Sequence, residues 1–314
     1  MGLLRALPPA LRPTRQWVPI GIPEEQRLVD VRLQARGFER DVTRDHVIVS
    51  LRPLLIGVSR EAAATDGGAQ LRFHDRAEDT LLGSLVLRVA DDIETSRDDL
   101  RVYRPCEWWH RCLPAPMRAW QRGLRLALRM RHAQDNHLGM SQDDIQQMLI
   151  FYVCPRPVVL VSVDDGENDN LFPMDLIGPI GDRFSLALRT TSPSVATMQK
   201  TRRVALADMP HKDVELVYRL GAHHRQSRIR WEEQPFQTIR STRFSLRVPE
   251  LALRVREYQI ESDETIGSHT LFAGRIVSEQ RRGTGPRLFH TSGIHCEYRS
   301  RCGGFAWSDV GSPS

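Results

Sequence analysis

Short segments with strand periodicity recur along most of this chain, and they constrain its fold more than any other feature. Apolar and polar residues alternate over residues 29–33 and 47–51, which is typical of strands with one solvated face. Further short strands are predicted at residues 81–89, 158–163, 184–188, 204–206, 244–248, 251–260 and 271–277. So many short strands favour a closed or nearly closed barrel, because closure hides the sheet edges.

Helical spacing interrupts this pattern near the middle of the chain. The apolar residues Met117, Trp120, Leu124 and Leu128 recur at helical spacing, and arginines occupy the other faces. They predict an amphipathic helix whose basic side is either solvated or turned to an anionic partner. A second helix is predicted from a cap at Ser141 to a stop before Pro155. We therefore predict a mainly β (α+β) chain, with a smaller strand-rich N-terminal region over 1–140 and a barrel over 141–314.

Composition limits the class of protein. The 314 residues are 40% hydrophobic and 26% charged, which excludes a disordered chain. The net charge of +5 comes almost entirely from arginine, so nucleic-acid binding is not expected. No apolar run is long enough to span a membrane. Five scattered cysteines fit a reducing cytoplasm, and Cys106, His110 and Cys112 match no common zinc spacing, so we expect no metal site.

A hydroxyl-rich turn marks the end of the predicted strand at residues 184–188. It carries Arg189, Thr190, Thr191, Ser192 and Ser194, directly before a predicted helix over 194–200. A guanidinium, several hydroxyls and the amide groups of a helix N-terminus together favour an anion such as phosphate. The same hydroxyls could instead cap a surface helix.

Four sequence patches follow one another in a definite order. They read PRPVVLVS from Pro155, NLFPM from Asn170, SPSVA from Ser192 and GSHTLFAGRIV from Gly267. This order resembles the flavin reductase-like family of FMN-binding split barrels. The resemblance covers roughly residues 143–295 and leaves the first 140 residues unexplained. No internal repeat is apparent in the sequence.

The resemblance assigns site residues as follows. It implies that the flavin ring lies against Asn170, Leu171, Phe172, Pro173 and Met174. The ribityl phosphate is implied to bind Arg189, Thr190, Thr191, Ser192 and Ser194. His269 matches the family histidine and is the expected catalytic residue, donating a hydrogen bond to flavin or dinucleotide; the alternative is a structural histidine at a strand start. The bulky Leu171 and Phe172 could narrow the ring pocket, and Asp175 could repel a reduced flavin.

The activity implied by the resemblance is NAD(P)H-dependent flavin reduction, with hydride passing from a nicotinamide to bound FMN. The cofactor carries that chemistry, so no protein general base is needed. The resemblance also implies a homodimer with the flavin cleft at its interface. One alternative is a non-enzymatic flavin- or haem-binding module, and another makes the N-terminal region the active partner with the barrel as its scaffold.

Overall fold

The computed structural model describes residues 14–15, 17–23, 26–63, 68–90, 99–121, 123 and 140–302, and these are mainly β. The strands of the N-terminal part are β1 (Val18–Ile22), β2 (Val29–Ala35), β3 (Phe38–Asp41), β4 (His46–Leu51), β5 (Leu54–Ser59), β6 (Ala69–Asp75), β7 (Leu81–Val89) and β8 (Leu100–His110). Those of the C-terminal part are β9 (Arg156–Pro157), β10 (Val159–Asp164), β11 (Asp169–Met174), β12 (Ile177–Ile180), β13 (Arg183–Arg189), β14 (Arg203–Asp208), β15 (Thr238–Arg240), β16 (Arg247–Pro249), β17 (Arg254–Ile266), β18 (His269–Arg281) and β19 (Arg287–Thr291).

The helices are short. The first, α1, covers residues 115–121, and the rest of the predicted amphipathic helix lies outside the described residues. The others are α2 (Gln142–Phe151), α3 (Ser194–Thr201), α4 (Val214–Arg219) and α5 (Gly293–Arg301), with short 3-10 turns at His211–Asp213, Leu220–Arg225 and Trp231–Glu233. The Ser141 hydroxyl caps α2 as predicted, accepting from the Asp144 amide at 3.0 Å. No helix within the described ranges has the length and apolar content to cross a membrane.

Two seven-stranded antiparallel sheets curl into half-barrels. The N-terminal sheet has the order β3-β2-β6-β7-β8-β5-β4, and the C-terminal sheet has the order β11-β10-β14-β17-β18-β13-β12. The solvated face predicted for residues 29–33 is present, because Val29, Val31 and Leu33 are buried and alternate with half-buried polar residues. In contrast, β4 and β5 are buried along their whole length, since β4 packs against the C-terminal sheet.

Further pairings tie the two ends of the chain together. Strand β1 pairs with β19, which also pairs with β9, so the N-terminal strand completes a sheet with strands from the C-terminal part. One hydrophobic core runs through both half-barrels. A second, smaller core lies under the excursion over residues 209–253, which separates β14 from β17. The helical turns of this excursion pack against β11, an edge strand of the C-terminal sheet.

Gly274 explains part of the last sequence patch. It lies on β18 opposite an irregularity in β17, where the two backbones approach closely. A Cβ at this position would lie 1.9 Å from the Gln259 carbonyl oxygen, so only glycine fits without moving the β17 backbone.

Candidate functional site

A cavity of about 550 Å³ opens between the C-terminal sheet, the 209–253 excursion and the N-terminal half-barrel. Its apolar wall includes Met148, Val158, Pro173, Met174 and Leu188 from the C-terminal part. Trp17 and Leu51 from the N-terminal part close another side. The excursion adds Tyr218, Gly221, His224 and Arg225. The volume suits a ligand of nucleotide size, because small-molecule pockets commonly hold ~300–1,000 Å³.

The anion-binding end predicted from the sequence lies at this cavity. Arg189, Thr191 and Ser192 line it where β13 ends, just before α3 begins at Ser194. The Arg189 side chain is exposed and has no ion-pair partner among the described residues. Its pKa lies below the usual value because it is partly desolvated and because Arg52 and Arg225 lie nearby. An unneutralised guanidinium close to two others is the charge arrangement that an anionic ligand would relieve.

Two of the predicted phosphate residues do not line the cavity. The Thr190 amide donates to the Ser268 carbonyl at 3.1 Å, so this residue ties β13 to the turn before β18. The Ser194 hydroxyl is buried and accepts from the Asn170 side-chain amide at 3.2 Å. Both residues therefore have structural contacts next to the cavity residues Arg189, Thr191 and Ser192.

The segment predicted to face the flavin ring is divided by the structure. Pro173 and Met174 line the cavity, whereas Asn170, Leu171 and Phe172 are buried behind its wall. The Asn170 amide donates to the carbonyl oxygens of His223 at 3.0 Å and Gln226 at 2.7 Å, which anchors the excursion. Leu171 belongs to the second core. Phe172 packs against His224, with 4.8 Å between the ring centroids, and therefore supports a residue that does line the cavity.

His269 lies at the start of β18, paired with Arg189 on β13. Its Nδ1 atom accepts a long hydrogen bond of 3.4 Å from the Leu51 amide and lies 2.9 Å from the Ser268 hydroxyl. Burial, followed by the charge of Arg189, lowers the pKa of His269 to about 4. The imidazole is therefore neutral at physiological pH. Because Nδ1 accepts from an amide, its single proton is on Nε2, which can donate to a ligand.

Asp175, which the sequence analysis named, lies on the cavity wall at the centre of a polar network that the sequence analysis missed. The Asp175 carboxylate accepts from the Tyr152 hydroxyl at 2.9 Å and from His290 Nδ1 at 2.8 Å. The Tyr218 hydroxyl lies 3.1 Å from the other ring nitrogen of His290. Burial alone would raise the pKa of Asp175, but the hydrogen bond from His290 and the other donors hold it below its usual value. Asp175 is thus an ionised carboxylate that two hydrogen-bond donors stabilise.

The sequence predicts no metal site. Within the ranges that the structure describes, no three His, Cys, Asp or Glu side chains are grouped so as to hold a metal ion. All five cysteines are free thiols.

Residues 151–295 match the family model of the flavin reductase like domain. This segment is a flavin reductase-like domain. Every cavity residue assigned above to the C-terminal part, except Met148, falls within the match. The resemblance inferred from the four sequence patches is therefore confirmed, as is a mainly β fold with a C-terminal split barrel and a strand-rich N-terminal region. In the described part of the chain, that barrel is the seven-stranded sheet β11-β10-β14-β17-β18-β13-β12.

Several solved structures are similar over this domain. The FMN-binding protein from Thermus thermophilus with bound p-hydroxybenzaldehyde is 22% identical, covering 40% of this chain and 72% of its own, with a TM-score of 0.36. The flavin reductase component of a bacterial two-component tryptophan halogenase is 13% identical, covering 46% and 92%, with a TM-score of 0.42. The styrene monooxygenase flavin reductase from Pseudomonas putida is 14% identical, covering 46% and 95%, with a TM-score of 0.37. No curated protein sequence matches this chain significantly.

Proposed function

We propose that this protein is an FMN-binding oxidoreductase, and specifically an NAD(P)H-dependent flavin reductase. The observation that carries the proposal is the cavity of the flavin reductase-like domain. Its lining combines Arg189, Thr191 and Ser192 with an apolar wall that includes Pro173, Met174 and Leu188. A ligand with a phosphate at one end and a flat apolar ring system at the other fits a lining that combines a guanidinium and hydroxyls with apolar side chains.

The residues present fit FMN rather than an uncharged ligand. Arg189 would hold the phosphate by charge-assisted hydrogen bonds, with the Thr191 and Ser192 hydroxyls beside it and the N-terminus of α3 adding a favourable dipole. Pro173, Met174 and the neighbouring apolar side chains would pack against the ring. Without a bound anion, Arg189 has no counter-charge in the described part of the chain.

When bound, FMN would supply the acceptor for a hydride from a nicotinamide. The chain's own residues would orient that acceptor and keep water out. Neutral His269 would donate its Nε2 proton as a hydrogen bond without changing its charge near neutral pH, since its pKa is about 4. Trp17 and Leu51 would cover the side facing the N-terminal half-barrel.

The proposal is tested by the visible spectrum of the purified chain with FMN, followed by anaerobic NADH or NADPH. We expect a bound-flavin spectrum that bleaches on addition of at least one dinucleotide, followed by recovery in air. Bound flavin that neither dinucleotide bleaches would overturn the reductase and leave a binding module. No binding of FMN at all would overturn the cofactor as well.

Replacing His269 with alanine is expected to slow NAD(P)H oxidation about fivefold to tenfold, while FMN affinity stays within about twofold. This is the effect of losing one neutral hydrogen bond of about 1–1.5 kcal/mol. The measurement is steady-state dinucleotide oxidation beside an FMN titration. His269→Gln keeps an N–H donor and should recover part of the rate.

The pH profile tests whether His269 acts as a neutral hydrogen-bond donor, and the alanine variant separates a functional role from a structural one. Because its folded pKa of about 4 lies below the ordinary 6.5, the group stays neutral as the pH falls from 8 to 5. No histidine titration from this residue should therefore appear in the wild-type rate across that range. An unchanged rate in His269→Ala would limit the residue to a structural role.

A further inference from the structure

The two half-barrels have the same topology. We label the strands of each sheet a to g in chain order, so that the N-terminal set is β2 to β8 and the C-terminal set is β10 to β14 followed by β17 and β18. Both sheets then have the order b-a-e-f-g-d-c, with every neighbouring pair antiparallel. In both, the f–g pair also contains a register irregularity. The N-terminal region therefore repeats the split-barrel topology of the flavin reductase-like domain.

The half-barrels also meet through equivalent strands. Strand c of the N-terminal set, β4, packs against strands c and d of the C-terminal set, β12 and β13. Reciprocally, strand d of the N-terminal set, β5, contacts strand c of the C-terminal set, β12. A contact in which each partner offers the same elements is the signature of an approximate twofold axis, as in a symmetric dimer.

Specific contacts make this interface close. The Asp45 carboxylate, just before β4, accepts from the Gly181 amide at 2.8 Å. Gly178 on β12 faces Val47 on β4, and a Cβ there would lie 2.8 Å from the valine methyl group. The apolar residues of both sides belong to one continuous core. The interface is thus packed like the interior of a protein rather than like a transient contact.

The N-terminal half-barrel reaches the cavity through the end of β4. Leu51 lines the cavity, and its amide holds His269. The Ser50 hydroxyl accepts from the Ser268 amide at 3.2 Å, which fixes the turn before β18. Arg52 follows directly, is exposed, and has no ion-pair partner in the part of the chain that the structure describes. Its carbonyl would lie 3.0 Å from a Cβ at Gly267, which places its backbone against the same turn.

The equivalent position in the N-terminal half does not carry this set of side chains. Where Arg189 pairs with His269 in the C-terminal half, Ser59 pairs with Leu100 in the N-terminal half. The d–e connection that contains α3 over residues 190–202 corresponds to the shorter stretch 60–68, whose described residues, 60–63 and 68, contain no helix. The N-terminal half therefore has no equivalent of the Arg189–His269 pair or, among its described residues, of the helix α3.

We propose that the N-terminal region is a degenerate second copy of the split barrel that acts as a built-in partner subunit. It closes the cavity of the flavin reductase-like domain, positions His269 through Leu51, and contributes Arg52 as a further guanidinium toward the phosphate of the ligand. A single chain then holds one complete site. The identity of the ligand, FMN, rests on the proposed function, but the intramolecular completion of the cavity does not.

The first test measures mass and FMN binding together on the full chain. Sedimentation equilibrium over a range of concentrations, with FMN absorbance recorded, is expected to give a monomer of 35.9 kDa with one FMN per chain. A homodimer that releases FMN in step with its dissociation would overturn the built-in subunit while leaving the proposed function intact. If the wild-type chain binds no FMN, the proposed function fails, and the mass decides: a monomer retains the inference and an obligate dimer overturns it.

The second test removes the charge that the N-terminal half contributes. Arg52→Ala is expected to weaken FMN about threefold to tenfold and to leave riboflavin unchanged, because only FMN carries the phosphate. The matched control is Arg36→Ala, an exposed arginine in the β2–β3 turn of the same half-barrel, which should bind FMN like the wild type. Unchanged FMN affinity in Arg52→Ala would remove Arg52 from the site, and equal loss for riboflavin would show that its effect is not on the phosphate.

Discussion

FMN should bind the Arg189→Ala variant about tenfold to a hundredfold more weakly than the wild type, while riboflavin affinity changes by less than about twofold. Arg189 is the guanidinium at the end of β13 that lines the cavity beside Thr191 and Ser192. Hydrogen bonds to a charged group are worth about 1.5–3 kcal/mol, which corresponds to this loss. Riboflavin has the same ring and ribityl chain without the phosphate, so fluorescence titration with both ligands isolates the phosphate contact.

Arg183 offers a matched control on the same strand. It lies at the opposite end of β13, 3.6 Å from Asp99, and does not line the cavity. Arg183→Ala should therefore bind both ligands like the wild type. Arg189→Lys keeps the charge but loses the planar fork, and is expected to lie between alanine and the wild type. Equal weakening of FMN and riboflavin in Arg189→Ala would withdraw the phosphate assignment.

Of the five residues that the sequence predicts for the phosphate, three line the cavity, whereas of the five predicted for the flavin ring, two do. Arg189, Thr191 and Ser192 line the cavity because they lie at the end of β13 and in the turn between it and α3. Asn170, Leu171 and Phe172 do not line the cavity, because the Leu220–Arg225 turn of the excursion packs on this part of β11 and contacts all three. Which face is covered depends on the 209–253 excursion, and the sequence gives no sign that this segment folds back over β11.

Two other features depend on contacts between residues far apart in the sequence and could not be predicted from local patterns. The chain of hydrogen bonds through Tyr152, Asp175, Tyr218 and His290 joins residues far apart in the sequence, and no local pattern marks it. The repeated topology was missed for a similar reason. The two halves share the order in which their strands pair, but residues at equivalent positions, such as Ser59 and Arg189, differ in chemistry. The sequence therefore shows no repeat. The strand-rich character of both halves was nevertheless visible from the period-two alternation alone.

The Asp208→Asn variant is expected to lose about 3–5 kcal/mol of unfolding free energy, because it leaves buried positive charge without its counter-charge. The Asp208 carboxylate ends β14 and is 2% exposed. It accepts from Arg254 Nε at 2.5 Å, from Arg256 Nη2 at 3.0 Å and from Arg287 Nη1 at 3.0 Å. These arginines come from β17 and β19, so the carboxylate joins the C-terminal sheet to the sheet that contains β1. Urea unfolding at neutral pH measures the loss.

The pH dependence of that loss has a definite sign. Burial would raise the pKa of Asp208, but the three arginines more than offset it and hold the pKa below the ordinary 3.8. A depressed carboxylate pKa stabilises the fold at and above neutral pH, and this stability disappears as acid lowers the pH below 3.8 toward the folded value. The difference between wild type and Asp208→Asn should therefore shrink in acid. Asp182→Asn, whose exposed partner Arg275 lies 3.7 Å away, should cost under about 1 kcal/mol at any pH. A comparable loss in both variants would mean that the three arginines do not depend on Asp208 for their burial.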